Sequence, residues 1–240
     1  MLNDVIKVSR SENVKVIILN NPKTKNAFNV SMLERFYEEL EKESEKKTPP
    51  ILLIKGEDRV FSSGIDVFEV GQLNDKEKEK LLALMQKISE YIIHYQNFTI
   101  SFVEKFAIGM AAEIAMNTDF IFLEKGGYFA FPELDHGFSL TQGSSFFLKQ
   151  YFNYSEILDL IFIKKRISDI ELKKRNIVYS VNEHSLLQNE VDLFIQQLSV
   201  YQPEQVALFK GLFRSGDRGS IHSSLQEELQ LCQKLIEKGM

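Results

Sequence analysis

At 240 residues, 44% of them hydrophobic and 26% charged, the chain has the composition of an ordinary globular protein and enough length to bury a substantial core in one main domain with an appendage. Its formal net charge of −5 provides no basic face to displace counterions from phosphate, so nucleic acid is not expected as a partner. No run approaches the apolar length of a membrane span, the amino end reads as alternating charged and apolar residues, and the single cysteine, Cys232, supports neither a disulfide framework nor a cysteine metal site. The expectation is a cytoplasmic protein with no membrane partner.

DVIKV and VKVIILN are β-branched runs on either side of the polar SRSEN, the pattern of an opening hairpin. NPKTKNAFN follows as a loop, and Ser31 is expected to cap a helix whose stripe is Leu33, Phe36, Tyr37 and Leu40. That helix runs into EKESEKK, read as a solvated end, before Pro49 and Pro50 stop it. ILLIKG is a short buried strand leading into the loop GEDRVFSSGID, and DKEKEKLLALMQKISEYIIHY is a long amphipathic helix. FTISFVE and FIFLE are further strands, with the small-residue segment GMAAEIAMN between them as a closely packed helix. From about residue 141 the pattern turns helical through FFLKQYF, SEILDLIF and SDIELKKR, with VYSVNE extended. QPEQVALFKGLF and SIHSSLQEELQLCQKLIEK are terminal helices around an SGDRGS turn, each with an apolar stripe that needs a surface to pack on. Sequons at Asn29, Asn97 and Asn153 are read as chance matches to a short pattern.

Two acids stand out. Glu113 in GMAAEIAM and Glu133 in FAFPELDHG sit among apolar and small neighbours, where desolvation raises a carboxylate's pKa. Two such acids in one pocket drive each other's titrations apart, leaving one to donate a proton and the other to accept one. A surface pairing with lysine is the ordinary fate of an acid, and the apolar setting argues against it here. FSSGID turns tightly at Gly64 after a buried strand, and Gly109 opens a helix whose first amides, Met110 among them, lack intrahelical acceptors. Two amides converging from these loops would stabilise an enolate oxygen, although each segment alone also reads as a plain turn or helix start. His94, His136, His184 and His222 show no metal-ligand spacing, so no metal is expected. His136 is close enough in sequence to modulate Glu133. Gly143 to Ser145 lacks the nucleophile-elbow pattern, and neither a Walker A nor a GxGxxG fingerprint occurs.

In this order the segments resemble the crotonase superfamily, the enoyl-CoA hydratase and isomerase family, over nearly the whole chain. NNPKTKNAFNVSM is similar to its NRP...NAL opening, FSSGIDVFEV to AFxAGxDLxEM, AIGMAAEIAMNTDF to ALGGGxELALACD, and YFAFPELDHG to FxxPExxxG. RISDIELKKRNIVYSVN and QPEQVALFKGLF resemble the family's later segments. The resemblance implies an α/β fold with a ββα spiral core over 1-195 and a C-terminal helical region, 196-240, that supports a homotrimer or homohexamer. It implies Glu113 and Glu133 as the catalytic pair, twenty residues apart, with the backbone amides of Ile65 and Met110 forming the oxyanion hole. Lys25, Ala27, Ser63, Gly64, Asp66 and Val67 fall where the family grips coenzyme A. Gly109, Pro132, Leu140 and Thr141 fall around the acyl thioester, and Lys210 at a CoA phosphate of a neighbouring subunit. The implied activity is hydration of a 2-enoyl-CoA, with coenzyme A entering as part of the substrate and no separate cofactor. The alternatives are 3-enoyl to 2-enoyl-CoA isomerisation and an acyl-thioester binder with little turnover. Two departures motivate the binder: Met110 and Ala111 replace glycines, and GFSLTQGSS replaces GIxPGAGG, putting Leu140 and Thr141 at proline and glycine positions.

Overall fold

The computed structural model describes residues 5–214 and 218–237. Residues 1–4 at the start and 215–217 of the expected SGDRGS turn lie outside that description. The larger sheet contains β1 (Ile6–Arg10), β2 (Val14–Leu19), β3 (Ile51–Gly56), β4 (Thr99–Val103), β6 (Phe120–Glu124) and β9 (Ser180–Asn182). They are ordered β1-β2-β3-β4-β6-β9, with only the β1/β2 hairpin antiparallel. β3 explains why ILLIKG carries no alternation: Leu52 and Ile54 face one apolar cluster while Ile51 and Leu53 face another. The first cluster is closed by helices α1 (Val30–Ser44) and α3 (Asp75–Ile93), the second by Leu187, Val191 and Ile195 of α8 (His184–Leu198).

A second sheet joins β5 (Phe106–Ile108), β7 (Tyr128–Ala130) and β8 (Ile167–Ser168). Its parallel register sets Ile108 against Ala130, so the chain leaves both strands at the same level. From β5 it enters α4 (Met110–Asn117), and from β7 it enters the 3-10 turn Glu133–His136. The remaining helices are α2 (Val67–Gly71), α5 (Ser144–Tyr151), α6 (Tyr154–Phe162), α7 (Asp169–Lys174), α9 (Pro203–Arg214) and α10 (Arg218–Glu237). α10 folds back on the core: Cys232 and Ile236 belong to the main cluster, Ile221 and Leu225 pack on Ile93, and Gln86 of α3 donates to the Leu225 carbonyl. α9 instead leaves Leu208, Phe209, Leu212 and Phe213 exposed.

Two local expectations are corrected. Asn29, not Ser31, caps α1, because its side chain accepts the Met32 amide at 2.8 Å and the helix begins at Val30. The EKESEKK run is not merely solvated, since Glu43 is buried and pairs with Lys15 at 3.0 Å and Arg10 at 2.9 Å. The sequon asparagines are structurally engaged: Asn29 and Asn153 cap helices and Asn97 is buried against the Pro49 carbonyl. Among the described residues no helix is long and apolar enough to cross a membrane.

Candidate active site

Three stretches of backbone end together. Ser62 bridges to Ala107 of β5, the Ile108 amide donates back to the Ser62 carbonyl at 3.3 Å, and the Gly109 amide donates to the Ala130 carbonyl at 2.8 Å. This weave brings FSSGID, the start of α4 and the turn after β7 to one place. Gly64 is required there: its φ is +91°, and a β-carbon would lie 2.5 Å from the Ile108 carbonyl oxygen and 3.7 Å from the Met110 amide nitrogen. The neighbouring amides of Gly64 and Asp66 bond to the Ser62 hydroxyl and the Phe28 carbonyl. The Ile65 amide between them has no acceptor among the described residues, and neither has that of Met110 at the first position of α4. Two free donors on adjacent segments are able to polarise a carbonyl oxygen placed between them.

These segments line a cavity of about 440 Å³. Glu113, one turn into α4, reaches it from a fully buried position and accepts the Thr141 amide at 3.0 Å and the Gln142 amide at 2.8 Å. Glu133 reaches it from the facing turn, and neither of its oxygens has a hydrogen-bond partner. Burial raises Glu113 well above the usual carboxylate range, the charges of Glu133 and Glu228 add to this, and the two loop amides oppose it. Burial pushes Glu133 up to about 8, and the Glu228 charge adds to it. Acids this deeply buried and this close cannot all be ionised. Both therefore favour the protonated form, and the two backbone amides that favour a charged carboxylate are at Glu113, with no such donor at Glu133.

Of the residues expected from the sequence, Ala27, Ser63, Gly64, Ile65, Asp66, Val67, Gly109, Met110, Pro132 and Thr141 line the cavity with the two acids. Asp66 also caps α2 through the Phe68 and Glu69 amides. Lys25 is exposed beside the cavity and contributes its carbonyl to the Ser63 amide, while Leu140 packs against the core cluster. Lys210 lies elsewhere, 2.6 Å from Asp119 and 2.7 Å from the Asn97 carbonyl. His136 lines the cavity and is exposed. Several participants are not evident from the sequence. Lys23 and Lys78 bring positive charge to the wall, and Leu81, Leu82 and Met85 of α3 make it apolar. The apolar stripe of α3 is visible in the sequence, but not which of its residues face a cavity. Among the described residues no group of three or more His, Cys, Asp or Glu side chains is disposed to hold a metal ion.

The family profile described as enoyl-CoA hydratase/isomerase matches residues 9–239. The chain belongs to the enoyl-CoA hydratase/isomerase family. A short-chain-enoyl-CoA hydratase of Clostridium acetobutylicum is 27% identical, covering 95% of this chain and 87% of its own. A carboxymethylproline synthase of Pectobacterium carotovorum is 25% identical, covering 95% and 90%. The fold is that of a solved enoyl-CoA hydratase from Bacillus halodurans, with TM-score 0.88, 17% identity and coverage of 97% and 95%. The α/β spiral with C-terminal helices is therefore the crotonase fold, and the chain is an enzyme of a family of lyases and isomerases.

Proposed function

We propose that the chain is an enoyl-CoA hydratase acting on a 2-enoyl-CoA in the cytoplasm. The observation that carries this reading is the asymmetry of the two acids: in one cavity Glu113 is held by two backbone amides and Glu133 by none. The thioester oxygen takes the Ile65 and Met110 amides, which favour the enolate that forms as water adds. Water oxygen bonds to C3, its proton passes to ionised Glu113, and the π pair moves toward the thioester oxygen. Glu133 then delivers its proton to C2, and transfer of a proton from Glu113 to Glu133 resets the pair.

Coenzyme A enters as part of the substrate. Lys23 and Lys78 offer its phosphates positive charge, with Lys25 beside them, and the apolar wall of α3 receives the acyl end. In an assembled oligomer Lys210 faces a neighbour's phosphate as one member of its pair with Asp119. The C-terminal region, 196-240, supports a homotrimer or homohexamer through the apolar face of α9.

The test is loss of conjugated-enoyl absorbance on mixing with crotonyl-CoA. Hydration predicts that Glu113→Gln and Glu133→Gln each abolish it. An isomerase, needing one base, would tolerate Glu113→Gln and act on a 3-enoyl-CoA. A binder would show no turnover while its melting temperature rose with acyl-CoA.

A further inference from the structure

The active-site loop over residues 139–145 spends its amides on side chains rather than on regular structure. Its central amides, Thr141 and Gln142, go to Glu113 of α4. Those of Gly143 and Ser145 go to Glu228 of α10, at 2.7 and 2.8 Å. Glu228 is 4% exposed and stands 85 residues from Gly143 in sequence. A carboxylate is an expensive group to bury, and here it caps α5 from another helix, since Gly143 has no side chain to do so.

We propose that Glu228 is a positioning residue of the active site: by gripping Gly143 and Ser145 it holds the loop in the register that turns the Thr141 and Gln142 amides onto Glu113. Its charge has a second effect, because it faces both acids of the cavity and disfavours ionisation of each. Around Glu228 stand Glu113 on α4, Glu133 on the 3-10 turn, Lys149 and Ser145 on α5, and Cys232 on α10 itself. Of these only Lys149 brings positive charge, which favours the ionised form of Glu228. The C-terminal helix thereby acts on the chemistry of its own subunit. This inference rests on the hydratase reading for its kinetic consequences and on geometry alone for the loop.

Glu228→Gln keeps the shape and removes the charge; Glu228→Asp keeps the charge one methylene short; Glu227→Gln, exposed on the same helix, is the control. Amide hydrogen exchange over 139–145 is expected to rise about tenfold in Glu228→Gln, the loss of hydrogen bonds to a charged group, with the β-strands unchanged. Hydration of crotonyl-CoA is expected to lose about tenfold in kcat with KM within about twofold, an effect confined to the transition state. The alkaline limb of kcat, where Glu133 loses its proton, moves to lower pH in Glu228→Gln and stays near its original position in Glu228→Asp. A folded Glu228→Gln protein with unchanged exchange and an unmoved limb would overturn the proposal. If that variant does not fold, Glu228→Asp decides, and unchanged exchange together with unchanged kcat there would overturn it. Should the native protein not hydrate crotonyl-CoA, the hydratase reading fails while exchange still reports whether Glu228 holds the loop.

Discussion

Gly109 and Glu133 meet where a side chain is missing: a β-carbon on Gly109 would stand 3.3 Å from Glu133 Oε1, on backbone with φ of +55°. Gly109→Ala therefore disturbs two groups at once, the Glu133 carboxyl and the Met110 amide that follows. The backbone strain is on the order of 1–3 kcal/mol, enough to lower the melting temperature by several degrees. Hydration of crotonyl-CoA is expected to fall by at least about tenfold, since a displacement of the reacting groups weakens the transition state directly. A Gly109→Ala enzyme with the native kcat would show that Glu133 does not use this space.

The raised pKa of Glu133 has a sign that thermal unfolding reads. Its folded value of about 8 lies above the ordinary carboxyl value of 4.5, so the fold favours the protonated form. The contribution is fully present below the unfolded pKa and is lost as pH rises through about 8. Glu133→Gln mimics the protonated form at every pH. It is expected to be inactive, to match the native protein near pH 4, and to exceed it in stability by a few kcal/mol above pH 8, since each tenfold change in proton affinity is worth about 1.4 kcal/mol. Parallel melting curves across that range check it; a gap that did not widen with pH would refute a buried, protonated Glu133.

Much of this site is legible in the sequence because its markers are local. Glu113 and Glu133 stand in apolar surroundings that a sequence displays, Gly64 marks the tight turn in the loop after β3, and Gly109 directly follows β5. Other parts are not. β5 and β7 are three residues each, too short for alternation to register, yet their pairing is what brings the two acids together. α8 carries Leu187, Val191 and Ile195 at four-residue spacing, a weak stripe between clearer segments. Asn29 and Ser31 are both good caps two residues apart, and only the Met32 hydrogen bond decides between them. Glu228 looks like any acid on an amphipathic helix, because its partners lie over eighty residues away and no periodicity reports them.

The same limitation conceals the cluster around Lys15. Alternation in β2 turns Lys15 inward, where it is 2% exposed and donates to Glu39 Oε2 at 2.7 Å, the Glu39 carbonyl at 2.8 Å and Glu43 Oε1 at 3.0 Å. Burial opposes ionisation of Glu39, but hydrogen bonds from Lys15 and Lys42 outweigh it and hold the acid down to about 2. Lys15→Met removes the buried cation from between the two acids, leaving Glu39 to Arg35 and Lys42 and Glu43 to Arg10 and Lys46, and is expected to destabilise the protein by roughly 3 kcal/mol at neutral pH. A depressed carboxyl stabilises above its unfolded pKa and loses that contribution as pH falls toward about 2. The difference between native and Lys15→Met proteins should shrink over that acid range in denaturant titrations; a difference independent of pH would mean that packing, not charge, holds Lys15.

Gly64 offers the sharpest separation of fold from chemistry. Alanine there would force a β-carbon to 2.5 Å from the Ile108 carbonyl oxygen, so FSSGID must move away from β5 and carry the Ile65 amide from the Met110 amide. Removing one donor of such a pair lowers kcat by about 10²–10³, and Gly64→Ala is expected to fall in that range. Ser63→Ala is the comparison: among the described residues the Ser63 hydroxyl bonds only to the Thr24 carbonyl, at 2.9 Å, so its loss leaves the two amides in place. Steady-state hydration by both variants, with acyl-CoA binding followed by melting temperature, divides the effects. If Gly64→Ala binds the thioester and has lost turnover while Ser63→Ala retains both, the spacing of the amides rather than the integrity of the loop governs the rate. Equal losses in the two variants would place the requirement in the loop as a whole and remove the Ile65 amide from the mechanism.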